Sequence, residues 1–148
     1  MLRLRLVVLG LTACAAIGCE RPPYEVAPVS GVVTINDKPA ARVAVMFQPI
    51  APEGQINPGP GSFGITDENG HYSLKLVGLE TPGAVVGQHK VRLEDYYDPP
   101  TDSSNDRPVR RPAPANPVPR RYGAVEAPFE FDVTKKGSTA GDFKLKSP

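Results

Sequence analysis

Seven short runs in this chain alternate apolar and polar residues with a period of two, and turn residues separate them. Successive side chains on a strand point to opposite faces, so each run presents one apolar face and one wet face. In residues 29–35, Val29, Val33 and Ile35 share a side. Val43, Val45 and Phe47 alternate with Ala44, Met46 and Gln48, and Phe63 and Ile65 form the next apolar pair. Tyr72, Leu74 and Leu76 follow, then His89, Val91 and Leu93, then Phe129, Phe131 and Val133, and lastly Phe143 and Leu145. Asn36, Asp37, Lys38 and Pro39 make one turn, and Asp67, Glu68, Asn69 and Gly70 read as a hairpin turn with Asn-Gly at left-handed φ. No window after Cys19 keeps the helical period of about 3.6 residues. Seven one-sided strands can hide their apolar faces only against each other. The expected fold is all-β, a seven-stranded antiparallel Greek-key β-sandwich.

The N-terminus follows a different rule. Arg3 and Arg5 precede an apolar run over residues 6–17, and Gly18 precedes Cys19. A basic start, a short hydrophobic core and a small residue before cysteine are the parts of an export signal that ends at a lipid-modified cysteine. Residues 1–18 are therefore read as a lipoprotein signal peptide, with Cys19 as the lipidated residue and Cys14 as the alternative. Leu11-Thr12-Ala13-Cys14 is the closer lipobox, but cleavage there leaves a hydrophobic core of only eight residues, 6–13. A spanning helix needs about 20 apolar residues, and this run has twelve before Gly18, Cys19, Glu20, Arg21 and two prolines. Cleavage without lipidation is the remaining alternative. The expected location is the bacterial cell envelope, with the membrane as partner through the lipid.

Both cysteines lie in this segment, so the folded body contains no disulfide, thiolate metal site or cysteine nucleophile. Removal of Arg3 and Arg5 leaves 15 basic against 16 acidic residues. That balance gives no basic patch for a nucleic-acid partner.

Proline and glycine decide the domain limits. Residues 19–28 read as a proline-containing tether and 29–148 as the domain. Residues 95–121 hold seven prolines, opening acidic at Asp95, Asp98, Asp102 and Asp106 and closing basic at Arg107, Arg110, Arg111, Arg120 and Arg121. Proline fixes φ and lacks a donor, so this stretch is expected to be a long Pro/Arg-rich loop inserted before the last hairpin. Residues 49–61 form a second proline-rich loop.

Val29-Ser30-Gly31-Val32-Val33, the turn Asp37-Lys38-Pro39-Ala40 and Thr66-Asp67-Glu68-Asn69-Gly70-His71-Tyr72 together resemble the carboxypeptidase regulatory-like, or transthyretin-like, domain. Gly87-Gln88-His89-Lys90-Val91-Arg92-Leu93 and the closing Phe129–Val133 and Phe143–Leu145 runs extend the likeness across residues 29–146. The resemblance implies a prealbumin-like sandwich used as an accessory or surface module, as in small bacterial lipoproteins, with no assigned catalysis.

Few residues suggest chemistry. Asp67, Glu68 and Asn69 beside Gly70 fail as a calcium loop, because the fifth position is His71 and the twelfth is Gly78. His71 is in phase with polar neighbours and His89 with apolar ones, so no metal pair is expected. The His-Glu-x-x-His and Gly-x-Ser-x-Gly motifs are missing, as is the closing Tyr-Arg-Gly-Ser of hydroxyisourate hydrolases. No catalytic residue, metal or cofactor is expected. The candidate ligand contacts are Arg110, Arg111, Arg120 and Arg121, able to grip an envelope glycan or acidic protein, with Tyr96 and Tyr97 able to stack on a sugar. The lipidation reading is tested in the native host with labelled palmitate. Incorporation is expected to survive Cys14→Ala and to vanish in Cys19→Ala.

Overall fold

The computed structural model describes residues 23–97, 114, 117–124 and 129–147. Within them the regular structure is strand, apart from one 3-10 turn at Arg120–Tyr122. Among the described residues no helix is long and apolar enough to cross a membrane.

The strands in chain order are β1 Val26–Ala27, β2 Ser30–Ile35, β3 Lys38–Pro39, β4 Val43–Pro49, β5 Ser62–Ile65 and β6 His71–Ser73. Then come β7 Lys75–Leu76, β8 Ala84–Val85, β9 Gly87–Asp95, β10 Phe129–Val133 and β11 Phe143–Leu145. A five-stranded antiparallel sheet runs β10-β9-β4-β5-β7. A second group surrounds β2, with β11 on one edge and β3 and β6 on the other. A short β1–β8 ribbon completes the set.

Alternation places the core as expected in most strands. Val33 and Ile35, Val43, Val45 and Phe47, Tyr72, Leu74 and Leu76, Val91 and Leu93, and Phe143 and Leu145 are all buried. Their contact cluster joins the two main groups of strands and is sandwich-like. Aromatic rings fill its centre. Phe47 lies 5.3 Å from Phe131 and 6.1 Å from Phe143, and Phe143 lies 5.1 Å from Phe129, all edge-to-face.

Five expectations change. The sheets are not wholly antiparallel, because β11 pairs parallel with β2, Phe143 facing Val33 and Leu145 facing Ile35. Nor do β10 and β11 form a hairpin: β10 pairs with β9 and β11 with β2, so the chain between them changes sheet. The Asp67–Gly70 turn closes tightly, with the Asp67 N–H donating to the His71 carbonyl at 2.9 Å. Yet it joins β5 of one sheet to β6 of the other, and only Gly70 takes positive φ, at 77°. The two-residue left-handed hairpin turn is instead Asn36 (φ 51°) and Asp37 (φ 64°), between the paired Ile35 and Lys38.

The fourth change is in β5. Phe63 and Ile65 face outward, and Ser62 and Gly64 face inward. Directly beneath lies the chain where β6 passes into β7, breaking at Leu74 to exchange β2 for β5 as its partner. A Cβ on Gly64 would come within 2.6 Å of the Ser73 carbonyl oxygen, so only glycine fits there. Small inward residues let the two sheets touch at this corner.

Residues 24–28, read as tether, belong to the folded body. Val26 and Ala27 pair with Val85 and Ala84, the Val86 N–H donates to the Glu25 carbonyl at 2.9 Å, and Lys135 pairs with Glu25 at 2.8 Å. At the other end, the Tyr72 hydroxyl donates to the Gly141 carbonyl at 2.6 Å. This buried bond holds residues 138–142 along β2, and burial pushes the Tyr72 phenol well above its ordinary range.

His89 is fully buried beside Phe47, at 5.6 Å between ring centroids. Its Nδ1 lies 2.9 Å from the Gly87 carbonyl, so that nitrogen carries the proton, and Nε2 has no partner among the described residues. Burial lowers its pKa, only partly opposed by the Gly87 carbonyl and the Asp132 carboxylate. Below the unfolded value of about 6.5, the unfolded chain binds a proton that the native protein refuses. Stability is therefore expected to fall as pH drops from about 7 to about 5, above most carboxylate titration. Urea midpoints measured across that range should show the slope, and His89→Leu should flatten it.

Candidate functional site on the outer face of the five-stranded sheet

The inward demand of each strand sets what is left on its other side. In β4, Val43, Val45 and Phe47 point into the core, so Met46 and Gln48 point out. In β9, Val91 and Leu93 point in, so Arg92 points out. Register then lines these residues up. Lys75 stands opposite Phe63, Phe63 opposite Met46, and Met46 opposite Arg92. Four adjacent strands at about 4.8 Å spacing give a row about 14 Å long, with a cation at each end and apolar groups between.

The row floors a groove of about 600 Å³. One wall is the segment after β7, where Val77 and Leu79 are exposed and Glu80 binds Lys75 at 3.0 Å. Phe63 packs at 6.2 Å from Tyr96, whose ring lies 5.6 Å beneath the Arg42 guanidinium. Arg92 is half-buried and makes no hydrogen bond or ion pair among the described residues. Ser62 borders the groove, but its side chain faces the core, where its buried hydroxyl has no partner among the described residues. A groove of this size, mostly apolar with a few polar groups, has the form of a small-ligand or chain-binding site.

His89 lies on the core-facing side of β9, away from the groove. Among the described residues no group of three His, Cys, Asp or Glu side chains could hold a metal ion.

The sequence-selected contacts are dispersed. Cys14, Cys19, Arg110 and Arg111 lie outside the described residues. Tyr96 is fixed by its contacts with Phe63 and Arg42, and its N–H donates to the Arg42 carbonyl at 2.7 Å. Tyr97 and Arg120 come together on a smaller cleft of about 380 Å³ with Glu94 and Asp95. That meeting arises because the far end of the 95–121 segment docks. The Val118 N–H donates to the Asp95 carboxylate at 3.0 Å, and Val118 is buried.

Arg121 is engaged within the protein. Its guanidinium donates to the Lys146 carbonyl and to the Tyr122 hydroxyl, 3.1 Å away, and lies 4.7 Å from the Tyr122 ring centroid. The Tyr122 hydroxyl in turn accepts the Lys146 N–H at 3.1 Å, so the 3-10 turn covers the end of β11. Hydrogen bonds from Lys146 and then Arg121 favour the ionised phenol and lower its pKa.

Met46, Phe63 and Arg92 escaped the sequence reading. The available signal was the outward phase of β4 and β9, but it carried no hint that β5 would invert and add Phe63. Compared with known proteins, the chain matches no family model, no curated protein and no solved structure.

The two neighbouring arginines are expected to separate on mutation. Arg121→Ala should lower the unfolding free energy by about 1 kcal/mol through the lost carbonyl and hydroxyl bonds. Arg120→Ala should change it by less than about 0.5 kcal/mol. Urea unfolding followed by circular dichroism measures both.

Proposed function

We propose that this protein is a non-enzymatic, lipid-anchored module of the bacterial cell envelope that binds a ligand in the groove floored by Lys75, Phe63, Met46 and Arg92. The observation that carries the reading is Arg92, a half-buried cation that has no partner among the described residues and stands at the end of an apolar row. Partial desolvation of a charge is unfavourable unless something compensates it, and a bound anionic or strongly polar group would do so. Anchoring rests on the N-terminal pattern ending at Cys19.

The fold within this proposal is a seven-stranded Greek-key sandwich of the carboxypeptidase regulatory-like type. Its support is that each of the seven alternating segments contains strand, once β6 and β7 are counted as one bent segment. A second reading places an envelope glycan or protein on the 95–121 segment, and the cleft shared by Tyr97 and Arg120 favours it.

Photo-crosslinking amino acids at positions 63, 97 and 68, used in intact cells, distinguish the readings. Adducts from position 63, with none from the control at 68, are the expected result. Adducts from 97 alone would favour the second reading, and silence at both would end the proposal.

A further inference from the structure

A loop between β4 and β5 points to a second contact, this one with lipid. Residues 50–61 leave the five-stranded sheet after Pro49 and return at Ser62. The Gln55 N–H donates to the Pro52 carbonyl at 3.0 Å, and the Gly59 N–H to the Asn57 carboxamide at 3.1 Å. Ile56 sits between these two local turns and is 100% exposed. No other large apolar side chain among the described residues is so bare, the next being Val77 at 59%. Over residues 50–61 Glu53 is the sole charged residue.

The position of this loop gives its exposure a meaning that a lone surface isoleucine would lack. It lies against the start of the folded body, sharing a cleft of about 460 Å³ in which Pro23 and Tyr24 face Pro52, Gln55 and Pro58. The Tyr24 ring packs so closely over Gly59 that a Cβ there would stand 3.1 Å from it. Cys19 precedes Pro23 by four residues, and four residues span at most about 14 Å even fully extended. An acyl chain on Cys19 would thus hold this end of the domain at the headgroups. The Asp67–Gly70 turn lies at the far end of β4, six residue steps and about 20 Å away.

We infer that the Ile56 loop enters the bilayer interface beside the lipid anchor and fixes the orientation of the domain on the membrane. This rests on the reading that Cys19 carries the lipid. Acyl chains on one residue hold the domain at a single point and leave it free to swivel, so an apolar tip at the same end adds a second hold that sets orientation. The lipid-facing end is then Pro23, Tyr24 and the Ile56 loop, and the Asp67–Gly70 turn faces away.

The chain has no tryptophan, so Ile56→Trp makes a single fluorescent reporter at a position with no packing to disturb. The full-length protein is expressed in its host with labelled palmitate, extracted from membranes and reconstituted into vesicles with brominated acyl chains. Glu68→Trp, at the opposite end, is the control. Label on the protein, with blue-shifted, bromine-quenched emission from position 56 and unshifted emission from 68, is the expected result. Label with unquenched emission from 56 overturns the inference and leaves anchoring intact. Equal quenching at 56 and 68 also overturns it, because orientation is then lost. Absence of label overturns the anchoring reading and this inference together.

Discussion

Phe143 is the contact on which the rest of the packing depends. It stands on a three-residue strand, yet its ring meets Phe47 and Phe131 of the five-stranded sheet, Phe129 beside them, and Tyr72 at 6.3 Å on its own side. Edge-to-face rings gain beyond simple burial because the positive edge of one meets the negative face of the next. The cluster couples strands that share no hydrogen bonds. It also explains the cover over the end of β11, since slippage there would pull Phe143 from the centre. Tyr122 closes that cover from the other side, stacked at 5.4 Å on Phe129 while binding the Lys146 backbone.

The parts of this fold legible in the sequence are those governed by alternation alone. In β4, β9 and β11 the inward residues are mainly the apolar ones, as alternation requires. Pairing direction was not legible, because an alternating run looks the same beside a parallel or an antiparallel neighbour. The parallel seat of β11 is set by distant contacts: the Tyr72 bond to Gly141, and the Val32 N–H bound by the Asp142 carboxylate at 2.9 Å.

The phase of β5 was misread for a related reason. Phe63 and Ile65 carry the larger apolar area and so claim the core on hydrophobicity alone. The backbone of Ser73 occupies the space their side chains would need, and Gly64 yields to it. The candidate groove exists because of that inversion, and so it could not be seen in the chain. Arg121 shows the same limit from the other direction. Its residue type suggested a free cation, but its position beside the Lys146 carbonyl makes it a clamp within the protein.

The parallel seat of the closing strand also governs when this protein can exist as a folded object. Ser30 and Val33 reach their neighbours Ser138 and Phe143 only after some hundred residues have been added to the chain. Contacts between such remote positions carry the loop-closure entropy of everything between them, which slows folding. A chain emerging head first from a ribosome has every early strand in hand and still lacks its central ring. It must wait, open, until Phe143 is added, and a copy cut short before that residue lacks the ring that joins the two groups of strands.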